Sequence, residues 1–122
     1  MTDNEESTVA LMRANLHQVF GERDPERRTA AAKRTYTEDA VFLDHDGPVV
    51  GRAAIEARAQ ALLERVPAEA AFSEAGPVYL GEGRAALAWE FGVPGADPFV
   101  RGLDIATIAE GRIVALETLL DR

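Results

Sequence analysis

The chain has 122 residues, 47% hydrophobic and 28% charged, a length and mix that suit one soluble domain. It has no cysteine, which excludes disulfides, thiolate zinc sites and a cysteine nucleophile. Thirteen basic against twenty-one acidic residues leave a net charge of −8, which argues against nucleic acid or an anionic membrane as partner. The start, Met1-Thr2-Asp3-Asn4-Glu5-Glu6, is acidic rather than basic, and no apolar run nears the ~20 residues of a bilayer span, so a cytoplasmic protein is expected.

From about Asn4 to Phe20 the residues Val9, Met12, Leu16, Val19 and Phe20 recur at helical spacing, and Gly21 stops the run. Asp24-Pro25 offers an N-cap and then proline at the first helical position. A second helix is expected from there to about Thr35, with a weak face of Ala30, Ala31 and Tyr36. Its cations Arg27, Arg28, Lys33 and Arg34 read as a solvated helix face. Ala40 to Val50 contains a strand and the hairpin signal Asp46-Gly47. A third helix opens after Gly51, carries Ile55, Ala59, Leu62, Leu63 and Val66, and is ended by Pro67.

The second half reads as strands parted by turns: Ala71 to Leu80, Arg84 to Phe91, Phe99 to Ala109 and Arg112 to Leu120. Helices first and an antiparallel meander afterwards predict a single α+β domain over residues 1–122, a curved sheet with helices on one side and a pocket at its open end.

Leu87, Trp89 and Phe91 alternate along one strand and share a face, which is either core or the wall of a ligand cavity. Asp44 shares its strand face with Ala40 and Phe42. It either caps the hairpin turn or points into an apolar cavity, where a desolvated carboxyl can shuttle a proton. Asp104 interrupts the apolar strand Gly102 to Ile108, where aspartate is uncommon and costly to bury unpaired. It is either exposed on an edge strand or buried, protonated and donating a hydrogen bond.

His17 and His45 are the two histidines. Adjacent strand residues face opposite ways, so Asp44-His45-Asp46 is not expected to converge on a metal. Ser7 and Ser73 lie in no strand–helix elbow, which argues against a Ser-His-Asp triad. Gly81-Glu82-Gly83 has no helix pattern after it and reads as a hairpin turn rather than a phosphate cradle.

Five segments occur in a fixed order between about Leu11 and Leu120. They are Tyr36-Thr37-Glu38-Asp39-Ala40-Val41-Phe42-Leu43-Asp44, Gly51-Arg52-Ala53-Ala54-Ile55, Ala75-Gly76-Pro77-Val78, Gly102-Leu103-Asp104 and Gly111-Arg112-Ile113. In them the chain resembles the nuclear-transport-factor-2-like superfamily, specifically its SnoaL-like and ketosteroid-isomerase-like members. The resemblance implies a cone, a strongly curved and mostly antiparallel sheet wrapped around three helices of the N-terminal half, with a deep pocket at the wide end. It implies a pocket lined by Leu16, Phe42, Leu87, Trp89, Phe91, Leu116, Thr118 and Leu120, with Tyr36 supporting its hydrogen bonds. A homodimer through the outer sheet face is implied as well.

Ketosteroid isomerases move a proton with an aspartate at the strand end that matches Asp44. They stabilise the enolate with a protonated aspartate that matches Asp104 and with a tyrosine on the first helix. Leu16 takes the tyrosine's place here, with His17 beside it, and losing one such donor typically costs ~10²–10³ in rate. His17 and His45 are auxiliary candidates. The Arg/Asp arrangement of the limonene-epoxide-hydrolase branch is not matched, because Arg101 and Asp104 are three apart in a strand and face opposite sides. The expected function is a small cofactor-independent, metal-free enzyme that shuttles a proton on a small apolar carbonyl compound, as an isomerase, cyclase or dehydratase. The alternative is a non-catalytic module of the same fold that binds a small apolar ligand or dimerises.

Overall fold

A capping box sets the first helix: the Thr2 hydroxyl accepts the Glu5 backbone N–H at 3.1 Å, and the Glu5 carboxylate accepts that of Thr2 at 2.9 Å. In the computed structural model, which describes residues 1–121, this helix (α1) runs Asp3–Ala14 and continues as a π-helical segment over Asn15–Phe20. There the Gly21 N–H reaches back five residues to the Leu16 carbonyl at 2.9 Å. Asp24 caps α2 (Pro25–Thr35) by accepting the Arg27 N–H at 3.0 Å. The expected face of α2 needs correction, since Ala30 is exposed and Arg28, Ala31, Ala32 and Thr35 are buried. Arg28 therefore does not belong to a solvated face. It donates to the Glu22 carbonyl at 2.6 and 2.9 Å and to Gln60 at 2.7 Å, which offsets burial of its charge. Helix α3 (Arg52–Glu64) begins after Gly51, whose φ of 96° favours glycine.

The strands are β1 (Tyr36–Asp44), β2 (Gly47–Val50), β3 (Ala71–Glu74), β4 (Tyr79–Gly81), β5 (Arg84–Gly92), β6 (Val100–Ala109) and β7 (Arg112–Leu120). They form one seven-stranded sheet in the order β2-β1-β7-β6-β5-β3, with β4 also paired to β5. All pairs are antiparallel except β1 with β7, so the sheet is mixed. The strand expected over Ala71 to Leu80 is two strands, because Pro77 has no N–H for a ladder and Gly76 adopts a φ of 149°. The first hairpin turn lies one residue earlier than expected: Asp44 pairs with Gly47 across His45-Asp46.

The α+β class holds, with three helices, but the cone does not. The sheet is open and not strongly curled; β2 and β3 are its edges and do not pair with each other. Strong curvature needs bulges or kinks repeated from strand to strand. Here register shifts only between Tyr36 and Val41 and between Thr107 and Ile108, while β5 keeps unbroken register with both β3 and β6.

The helices cover one sheet face, where Met12, Leu16, Val19 and Ile55 join Phe42, Leu87, Phe91 and Ile113 in the core. Val41, Leu43 and Leu119 are exposed, and strand alternation puts them on the opposite face. Among the described residues no helix is long and apolar enough to cross a membrane.

Candidate functional site

Between the helices and the inner sheet face lies a cavity of about 280 Å³. Its apolar wall includes Leu16, Phe20, Phe42, Leu62, Phe72, Trp89, Phe91, Val100 and Leu120. Its polar groups are Asp104 and Thr118 from the sheet, Asp44, His45 and Asp46 from the β1–β2 hairpin, Arg58 from α3 and Arg65 immediately after that helix. The hairpin and α3 thus bring charge to an otherwise aromatic and aliphatic chamber.

Most of the residues expected at a pocket line this one, Trp89 and both aspartates among them. Four do not. Leu87 and Leu116 point to the inner face but at 0% and 2% exposure are packed in the core. Strand alternation fixes the face of a side chain and not its depth along the strand. Tyr36 is buried, with its hydroxyl turned to Asn15. His17 is exposed and bonds Glu74 at 2.9 Å, outside the cavity. Being next to Leu16 on the helix, it is turned away from the side that Leu16 buries.

Asp104 is not on an edge. Strand β6 lies between β5 and β7, and the residue is 4% exposed. Its Oδ1 accepts from Thr118 Oγ1 at 2.7 Å and from Trp89 Nε1 at 2.9 Å; its Oδ2 accepts from Asn15 Nδ2 at 3.0 Å. Thr118 is its cross-strand neighbour on β7. Trp89 is opposite Gly102, where a Cβ would overlap the indole; glycine there lets the ring lie across β6. Burial pushes the Asp104 pKa up to about 6, against the opposing pull of the three donors.

Asn15 went unrecognised in the sequence. Its signal was there: Met12, Asn15, Leu16 and Val19 form one helical stripe, and an amide in an apolar stripe is a buried polar group in search of partners. The polar group that the first helix turns toward Asp104 is Asn15, rather than Leu16 or His17.

Asp44 both caps the turn and faces the cavity. Its Oδ1 accepts the Asp46 backbone N–H at 2.8 Å, capping the turn, and it also lines the cavity. Arg58 Nη1 donates to the same oxygen at 2.6 Å, an ion pair between side chains only 24% and 14% exposed. Arg58 on α3 and Arg65, which caps its C-terminal end, were not foreseen. His45 reaches the cavity rim as a turn residue.

The expectation that Asp44, His45 and Asp46 diverge is corrected. Their ligand atoms come within 4.8 Å of one another, because His45 and Asp46 belong to the turn and strand alternation does not reach them. The Arg58 guanidinium on Asp44 opposes a cation there. Arg101 is exposed and bonds Glu90 at 3.0 Å, away from the buried Asp104.

A mixed sheet covered on one face by three helices, with a cavity between them, defines the class. The chain belongs to the SnoaL-like domain family, whose sequence pattern matches residues 14–116. No curated protein matches it by sequence. Among solved structures it is similar to a SnoaL-like family protein from Agrobacterium tumefaciens, provisionally designated an isomerase. The TM-score is 0.85 at 23% identity, with 96% of this chain and 99% of that one covered. A nuclear-transport-factor-2-like protein of unknown function from Mesorhizobium loti gives 0.74 at 22% identity, covering 100% and 97%. A protein from Jannaschia sp. CCS1, provisionally designated a SnoaL-like polyketide cyclase, gives 0.72 at 16% identity, covering 97% and 85%. At these identities the likeness concerns the fold.

Proposed function

We propose that the cavity is the site of a small cofactor-independent enzyme that moves a proton on an apolar carbonyl compound, as an isomerase, cyclase or dehydratase. The observation that carries the reading is that Asp44 and Asp104, two of the three carboxyls lining the cavity, face one largely apolar space, with Asp104 buried and its pKa pushed up to about 6. A group titrating there can change protonation state near neutral pH. The provisional designations of the Agrobacterium and Jannaschia proteins, an isomerase and a cyclase, lend support at the level of the fold.

Asp44 takes the proton from the carbon next to the carbonyl, using Oδ2, since Arg58 and the turn occupy Oδ1. The C–H electron pair becomes the C=C bond, and the carbonyl π pair moves onto oxygen. Asp104 donates to that oxygen in its protonated form. Its Oδ1 already accepts two bonds and its Oδ2 one, which leaves Oδ2 to carry the proton. Asp44 then returns the proton to carbon. Phe42, Trp89 and Phe91 hold the apolar body of the substrate. At about 280 Å³ the cavity lies just below the usual ~300–1,000 Å³ of ligand pockets, which favours a compact substrate. A homodimer belongs to the same proposal, through the outer face that carries Val41, Leu43 and Leu119.

The test is proton NMR of small cyclic ketones in D₂O with the protein. Saturable, protein-dependent deuteration next to the carbonyl is expected, falling as pH rises past about 6 and Asp104 loses its donor proton. The second reading is a ligand-binding module. It draws on the Asp44 Oδ1, already held by an ion pair and a turn. Ketone binding that quenches Trp89 fluorescence without deuteration supports that reading and defeats the first.

A further inference from the structure

We propose that Asn15 is a positioning residue of this cavity: its amide N–H holds the Asp104 carboxyl, and Tyr36 fixes which end of the amide faces Asp104. The inference deepens the proton-transfer reading and rests on it for its catalytic consequence, though not for its geometry. Asn15 is fully buried at the first position of the π-helical segment. Its Nδ2 donates to Asp104 Oδ2 at 3.0 Å and its Oδ1 accepts the Tyr36 hydroxyl at 2.5 Å. Tyr36 is buried too, and its hydroxyl has no other side-chain or backbone partner among the described residues.

A side-chain amide has a donor end and an acceptor end, and a half-turn exchanges them. In the orientation present, all three groups around Asp104 donate, the arrangement that a carboxylate requires. Turned over, Oδ1 would face Asp104 and be satisfied only by a protonated carboxyl. The amide N–H would then face the Tyr36 oxygen and leave the phenol proton without an acceptor in a buried site. Burial, and then the nearby Asp104 charge, push the Tyr36 pKa well above its ordinary value, so the phenol remains a donor. Tyr36 thus acts through Asn15. It biases Asp104 toward the carboxylate and opposes the burial that biases it toward the acid. Together the pair sets the pH at which the site passes from proton donor to proton acceptor.

The charged groups that share the cavity with Asp104, namely Asp44, His45, Asp46, Arg58 and Arg65, stay in place in variants of Asn15 and Tyr36, as does Glu56, whose charge reaches Tyr36. The experiment is a carbon-NMR titration of the Asp104 carboxyl, without substrate, in Asn15→Leu and Tyr36→Phe. Loss of the amide donor raises the Asp104 midpoint by roughly 1–2 pH units in Asn15→Leu. Tyr36→Phe raises it by less. A merely structural role gives the opposite sign, because a loosened core admits water and lowers the midpoint. An unchanged or lowered midpoint in folded Asn15→Leu overturns the proposal. Should that variant not fold, Tyr36→Phe decides alone: a raised midpoint supports the proposal and an unchanged one overturns it. A raised midpoint in a protein that deuterates no ketone leaves this inference standing and defeats the enzyme reading.

Discussion

Replacing Asp104 by asparagine is expected to remove a stability change on the order of 3 kcal/mol between about pH 4 and pH 6. The Asp104 pKa is about 6 in the folded protein against an ordinary 3.8. Between those values the folded chain holds a proton that the unfolded chain has released. The contribution of Asp104 is therefore fully present below pH 3.8 and is lost as pH rises through about 6. Glu22 and Glu74 act in the opposite sense. Hydrogen bonds from Arg27 and His17 respectively lower their pKa values, so their contribution is lost as pH falls. Both proteins keep those residues, and the difference between the two pH profiles isolates Asp104. Urea unfolding of wild type and Asp104→Asn from pH 3.5 to pH 7 measures it (roughly the span of the two pKa values). Parallel profiles would mean that Asp104 titrates alike in the folded and unfolded chains.

The second large effect concerns Asp44→Asn. Removing a general base typically costs ~10²–10⁴ in rate, and a loss of deuteration in that range is expected. The fold should survive, because asparagine can also accept the Asp46 N–H that caps the turn and a bond from Arg58. Ketone binding, followed by Trp89 fluorescence, should change much less than the exchange rate. Unchanged exchange in the folded variant would remove Asp44 from the mechanism. A parallel loss of binding and exchange would make it a ligand contact only.

What the sequence disclosed depended on how local each signal was. Asp24-Pro25 marks the start of α2 because the cap and the proline act within one turn. The faces of β5 follow from alternation, so Leu87, Trp89 and Phe91 are all turned inward. Alternation stops there: it does not tell Trp89 at the cavity from Leu87 in the core. The openness of the sheet was equally out of reach, since curvature depends on register between paired strands, some of them as distant in sequence as β1 and β7. Nothing local marked Arg58, and only the placement of α3 beside the β1–β2 hairpin brings it to Asp44. Asn15 was legible in principle, since an ideal helical wheel puts it on the buried stripe with Met12, Leu16 and Val19.

The most direct measurement is the carbon-NMR titration of Asp104 in the wild-type protein, which a proton-exchanging carboxyl in the cavity must pass. A midpoint near 6 is predicted. A midpoint near the ordinary 3.8 would contradict it, for a solvated carboxyl could not hold a proton for a carbonyl oxygen in this cavity.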